Sequence, residues 1–251
     1  MYWWALAMVA HPEVQRRAQN ELDTAVGRSR VPTLSDAPNL PYIQAIVKEV
    51  LRWRPVLPLS LPHSTTEDDW YNGMFIPKGT LVLSNLWHCN HETSSYGDDA
   101  EKFRPERFLD ENGDIIPGPA ETHEDGHATY GFGRRACAGK ILANDSLFIY
   151  IAITLWAATF ERVRDQDGKE AFVNTETFVD TGMVLYAYHP YIEFECSLFR
   201  CSKPSPFECN ITPRFSEVSS ILAAEEELHE TVDRGISVHS GASVQERPVQ
   251  N

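Results

Sequence analysis

A basic face is missing from this chain: 22 lysines and arginines stand against 36 aspartates and glutamates, a net charge of -14. Nucleic-acid binding needs cationic surface to displace counterions from phosphates, so that class of partner is excluded. Cysteine is sparse too, five in 251 residues, scattered and odd in number. That is no disulfide framework; it fits a reducing compartment, or a metal role for one thiol. Long apolar runs are lacking as well. The longest, Leu147 to Phe160, falls short of the roughly 20 residues that cross a bilayer, and the polar patch before it (Lys140, Asn144, Asp145, Ser146) points to a buried core helix. Met1–Ala10 is shorter still, with neither the basic flank nor the cleavage site of a signal peptide. The chain as written therefore reads as soluble and intracellular, without a membrane anchor. Its 42% hydrophobic content suffices for one core plus a tail. There is no internal repeat.

What is there begins with helices. The first ten residues read as the tail of an earlier helix. Val14, Ala18, Leu22 and Val26 recur every fourth position, which predicts a helix over Pro12–Val26, stopped by Gly27. Ile43, Ile46, Val47, Val50 and Leu51 predict a second over Leu40–Arg54, with Pro41 in its first turn and Pro55 and Pro58 beyond its end. Ser60 to Asn85 alternates short strand-like runs with the turn signals Asn72-Gly73 and Pro77-Lys78-Gly79, which predicts a small antiparallel sheet. A long irregular charged stretch, Trp87 to Gly133, is expected to have a function, because structureless loops of that length are uncommon. A buried helix is predicted over about Ala138–Phe160, a turn at Asp165–Gly168 and strands from Ala171 to Tyr188. From about Ser216 the sequence turns acidic and polar (Glu225, Glu226, Glu227, Glu230), and residues 216–251 are expected to be a disordered tail.

The chemistry concentrates in Tyr130-Gly131-Phe132-Gly133-Arg134-Arg135-Ala136-Cys137-Ala138-Gly139. Glycines at 131, 133 and 139 permit tight turns and the close approach of a flat ligand. A helix N-terminus and two arginines both favour the thiolate of Cys137. A thiolate is a good soft-metal ligand, one of the axial ligands of haem iron, and the arginines suit carboxylates such as haem propionates. The plainer reading is a glycine-rich loop holding a free cysteine.

The segment resembles the haem-binding signature of the cytochrome P450 family: Phe, two residues, Gly, three residues, Cys, one residue, Gly. Gly133, Cys137, Gly139 and Arg135 match it, and Tyr130 stands where phenylalanine is usual. Two more motifs follow the family's order. Glu49-Val50-Leu51-Arg52, by itself an ordinary helix-surface pair, resembles its Glu-x-x-Arg element, and Pro105-Glu106-Arg107-Phe108 its Pro-Glu-Arg-Phe element. Phe75–Thr80 and Asn85–Trp87 look like the sheet segment between them. The resemblance covers roughly residues 5 to 196. It implies a mainly α fold with small antiparallel β-sheets (α+β), with residues 1–215 as a shortened haem-binding domain. It further implies haem b (iron protoporphyrin IX) on Cys137, propionate contacts from Arg135 and His63, and a loop shaped by Tyr130, Gly131, Gly133 and Gly139. Glu49, Arg52 and Arg107 would form a charge cluster locking the loop onto the core. The implied activity is insertion of one atom of dioxygen into a small apolar organic substrate. Electrons would come from a flavoprotein NADPH–cytochrome reductase docking near Arg134, Arg135 and Lys140. The implied full-length parent is anchored at the endoplasmic reticulum, and the motif style is that of fungal secondary metabolism.

Two departures temper this. Family members carry, before Pro12, a long helix with an acidic residue and a threonine that deliver protons to oxygen, and Met1–Val9 has neither. The chain is thus expected to lack the distal half of the pocket and to be inactive unaided. Ser205-Pro206-Phe207-Glu208-Cys209 resembles the family's last strand, but Leu185 to Lys203 intervenes, with Ile192–Cys196 as a partial echo, and reads as an insertion. A non-catalytic fragment is the first alternative. The second is a zinc-binding module using His88, Cys89, His91, His123 and His127, although Gly126 and its acidic surroundings oppose the helix that a His123–His127 clamp needs.

Overall fold

This computed structural model describes residues 1–122, 124–180 and 202–227. The supposed insertion over 185–203 lies almost wholly outside them, as do the Ile192–Cys196 echo, the end of the strand expected near Tyr188, His123 and the tail from 228.

Two prolines divide the helical half. α1 (Tyr2–Ala10) and α2 (Pro12–Ala25) are separated by His11, at φ −122 and ψ 69. Pro12 has no N–H to continue α1, but its fixed φ suits the first position of a new helix. α2 buries Val14, Ala18 and Leu22 as their spacing predicts. α3 (Pro41–Trp53) begins on Pro41 in the same way, and its N-terminal donors find an acceptor on α2: the Glu21 carboxylate takes Tyr42 N–H at 2.8 Å and Ile43 N–H at 3.1 Å. α3 is buried on nearly every side, its charged Glu49 and Arg52 included. It is the axis of the core, with α1, α2 and α6 (Lys140–Ala157) packed against it.

α6 departs from expectation twice. It ends at Ala157, and Phe160 belongs to a strand, β5 (Ala158–Arg162), whose edge Gln15 of α2 completes. The Gln15 amide donates to Phe160 O (2.9 Å) and accepts Phe160 N–H (2.7 Å), as a neighbouring strand would. Nor is α6 buried throughout. Ile151, Ala152, Leu155 and Trp156 are fully enclosed, while Ile141 and Leu142 in its first turn are 71% and 73% exposed. Among the described residues it is the one helix long and apolar enough to cross a membrane, a test that core helices also pass.

The sheets are small and antiparallel. β1 (His63–Ser64) pairs with β4 (Leu81–Val82), and β2 (Asp69–Tyr71) with β3 (Met74–Ile76). Asn72 and Gly73 both take positive φ (49 and 80), which the tight turn between β2 and β3 requires. β5 pairs with β8 (Cys209–Pro213), Phe160 opposite Ile211, and β6 (Phe178–Asp180) with β7 (Ser202–Pro204). The segment read as a last strand, Ser205–Cys209, is therefore mostly the link between β7 and β8.

The stretch from Trp87 is less irregular than its composition implies. α4 (Leu86–His91), started by the Asn85 side chain accepting His88 N–H, is followed by α5 (Thr93–Tyr96) and a 3-10 turn at Pro105–Phe108. The first residues of the expected disordered tail are ordered. Residues 218–227 are helical, with Val218 buried and Ile221 and Leu222 packed against the core. Three apolar residues at helical spacing outweigh the neighbouring glutamates, of which Glu226 and Glu227 are exposed.

Candidate functional site

Four segments meet behind the cysteine loop: α3, α4, the 3-10 turn at Pro105–Phe108, and the chain from Asp125 to α6. Glu49 and Arg52, one turn apart on α3, have fully buried side chains. Arg52 gives both Nε (2.7 Å) and Nη2 (2.8 Å) to the Glu49 carboxylate. Its other donors go to backbone oxygens: Nη1 to Asn90 and Ala100, each at 2.7 Å, and Nη2 to Lys102 at 3.0 Å. All five guanidinium N–H groups are thereby satisfied, the condition for burying such a charge. Arg107 joins from the 3-10 turn, Nε 3.1 Å from Glu49 Oε2, and Arg104 N–H adds a bond to Glu49 Oε1 at 2.7 Å. The remaining Arg107 donors fasten Tyr96, Asp99 and Lys102.

From this cluster a hydrogen-bonded path leads to the loop. Asn90, fully buried, accepts Ala128 N–H (2.7 Å) and donates to Thr129 Oγ1 (3.0 Å), and that hydroxyl donates to Leu51 O (2.7 Å). Gly131 N–H then closes on Ala128 O, and Cys137 N–H on Tyr130 O at 2.8 Å. Gly131 and Gly133 sit at φ +73 and +62 with open space where a side chain would be, so the bend needs glycine for its backbone angle. A 3-10 turn, Gly133–Arg135, precedes Cys137, and α6 starts three residues after it.

Cys137 is a free, exposed thiol. Exposed Phe132 lies before it in sequence and exposed Ile141 and Leu142 after it. A soft donor there can take a metal or an electrophile. Arg134 and Arg135 are exposed on the same loop, whereas Lys140 is engaged, its Nζ 3.0 Å from Asp125 Oδ2. His63 lies exposed on β1, on a segment separate from the loop.

His123 of the zinc alternative lies outside the described residues, and the other four do not gather. Among the described residues no group of three or more His, Cys, Asp or Glu side chains could hold a metal. His88 is exposed, and His91 stacks on Trp87 with Nδ1 2.8 Å from Trp87 O. His127 is enclosed beside Tyr130, and burial with Lys48 and Lys140 nearby pushes its imidazole down to about 3. Sequence reasoning also missed participants: Asn90, Thr129, Asp125 and Asn144, whose Oδ1 accepts the Tyr130 hydroxyl at 2.6 Å. Polar residues at such spacings carry no periodic signal, so only the fold reveals them.

Residues 1–181 match the family model described as cytochrome P450. A cytochrome P450 monooxygenase of Armillaria gallica is 48% identical over 228 residues, covering 91% of this chain and 40% of that protein. Cytochrome P450 monooxygenase 58 of Postia placenta is 48% identical over 221 residues, covering 88% of this chain and 38% of its own length. Cytochrome P450 monooxygenase iboC of Amanita muscaria is 36% identical over 273 residues, covering 91% and 46%. The chain thus spans about two fifths of the length of the first two relatives and somewhat under half of the third. With that family match over most of its residues, the chain belongs to the cytochrome P450 family.

Proposed function

We propose that this chain is the proximal, iron-holding part of a haem-thiolate monooxygenase, with Cys137 as the axial ligand. The observation that carries this reading is the setting of the sulfur: exposed on a glycine bend, flanked in sequence by exposed Phe132, Ile141 and Leu142, and held from behind by a buried polar network. A broad, flat, apolar group with a soft metal at its centre fits that donor set, and apolar side chains so exposed gain by being covered, about 25 cal/mol per Å². Haem bound there supplies the reductive activation of dioxygen and the insertion of one oxygen atom into an organic substrate.

The chain's own residues hold and tune. Cys137 gives the thiolate, and Gly131, Gly133 and Gly139 keep side chains clear of the approach to it. Arg135 and His63 neutralise the propionates, and Tyr130 braces the loop. Glu49, Arg52 and Arg107 fix the segment behind. The exposed Arg134 and Arg135 give a local positive patch on an otherwise acidic chain, suited to docking a flavoprotein reductase; Lys140, paired with Asp125, contributes little to it. The substrate is a small apolar organic molecule, and the parent protein resides at the endoplasmic reticulum membrane. The reduced, carbon-monoxide difference spectrum after haem reconstitution tests the reading. A red-shifted Soret band supports it, while reconstitution without such a band supports a non-catalytic segment instead.

A further inference from the structure

We infer that the Tyr130 hydroxyl is a positioning group for the Cys137 sulfur, acting through a strap between the cysteine loop and α6. This rests on the reading of Cys137 as haem ligand. Tyr130 is joined at both ends. Its hydroxyl donates to Asn144 Oδ1 at 2.6 Å, and its carbonyl accepts the Cys137 N–H at 2.8 Å. The ring between is half-buried against the core. One residue thereby couples the helix to the amide of the ligand.

The bend itself has few other fixed points. Phe132, Gly133, Arg134 and Arg135 are exposed, and nothing stands within 4 Å of where a Cβ would lie on Gly131 or Gly133. Side-chain packing therefore does not set the path from 131 to 135. Lys140 lies one turn before Asn144 on the same face of α6 and holds Asp125. The first turns of α6 thus clamp the incoming chain at two places, and the Tyr130 clamp is the one bonded directly to Cys137. A phenyl ring at 130 fills almost the same space but removes that clamp and leaves the Asn144 oxygen without its donor. At this position the difference between tyrosine and phenylalanine is one strap.

The test uses the full chain as Tyr130→Phe, Asn144→Leu and Asn144→Asp, the last keeping an acceptor for the hydroxyl. Without haem, amide hydrogen exchange is followed at Cys137, with Val50 on α3 as control. After haem loading, the ferrous carbon-monoxide Soret position and the iron midpoint potential are recorded. Exchange at Cys137 is expected to rise about tenfold or more in Tyr130→Phe and Asn144→Leu, to stay at the wild-type rate in Asn144→Asp, and to be unchanged at Val50. The same two variants should shift the potential and the Soret band. Wild-type exchange in Tyr130→Phe overturns the inference. So does faster exchange with unmoved potential and spectrum, which reduces Tyr130 to a packing role. If even the wild-type chain takes up no haem, the ligand reading fails, and the exchange measurement alone decides whether the strap exists.

Discussion

Arg107 lies 58 residues from Glu49 in sequence, yet its Nε sits 3.1 Å from Glu49 Oε2, with the two side chains 5% and 0% exposed. The same carboxylate holds Arg52, and Asp99 stands 3.3 Å from Arg107 Nη1, so two acids balance the two guanidinium groups that have left water. The arrangement is stable only as a whole, because removing one member strands the others without solvent.

Glu49→Ala or Arg52→Ala is therefore expected to lower unfolding stability by about 3–5 kcal/mol, read from urea denaturation, and to abolish haem incorporation. The exposed pair Arg164–Glu170, 2.9 Å apart, is the control, and its disruption should cost well under 1 kcal/mol. Normal haem occupancy in Glu49→Ala would show that the cluster does not govern the loop.

Gln15 substitutes for a strand along the edge of β5. Replacing it with leucine keeps the volume but leaves the Phe160 N–H and C=O unpaired in a buried place. A loss of about 1–3 kcal/mol for each stranded group is expected, checked by thermal unfolding. Gln15→Glu keeps the acceptor but sets a buried carboxylate against the Phe160 carbonyl, so it should cost at least as much as leucine.

Much of this was legible beforehand. The α2 and α3 stripes and the Asn72-Gly73 turn follow from periodicity and turn chemistry, while the grouping of Glu49, Arg52 and Arg107 follows from the resemblance of their motifs to the family's. What was not legible depends on partners far away in sequence. Phe160 reads as the end of an apolar helix, and only Gln15 and Ile211 make it a strand. Ile141 and Leu142 look like core residues because hydrophobicity does not say which face will be covered. The supports of the cysteine loop, Asn90, Asn144 and Asp125, are ordinary polar residues until α4 and α6 bring them against it.

Acid should weaken the fold through His127. Burial pushes its imidazole down to about 3 from an ordinary 6.5, with Lys48 and Lys140 adding to the shift. Between those values the unfolded chain binds a proton that the folded chain refuses, so stability is complete above pH 6.5 and drains as pH falls towards 3. The slope is at most about 1.4 kcal/mol per pH unit for one group. His91, also lowered by burial, contributes with the same sign, so His127→Asn should shrink the slope rather than erase it. Urea midpoints at pH 7.5 and 5.0 measure this, and an unchanged difference in the variant would contradict the assignment.

Gly118 and Gly126 pack back to back. A Cβ on Gly118 would run into the Gly126 Cα, and one on Gly126, already at φ +81, would meet the Phe108 ring at 2.7 Å. Gly118→Ala must push backbone apart beside the Pro105–Phe108 turn, at about 1–3 kcal/mol. Gly139→Ala is its control: like Gly118 it has no positive φ, but the nearest atom to its added Cβ, Cys137 Sγ, is 4.0 Å away. Equal losses in the two, by differential scanning, would show that the contact is relieved cheaply.

Cys137→Ser gives the most direct test, because it exchanges one sulfur for oxygen and leaves the bend intact. After reconstitution with haem, the reduced carbon-monoxide spectrum is compared with that of the unaltered chain. The expected result is a red-shifted Soret band in the unaltered chain and its loss, with collapsed haem uptake, in the variant. The same band in both would contradict ligation through Cys137.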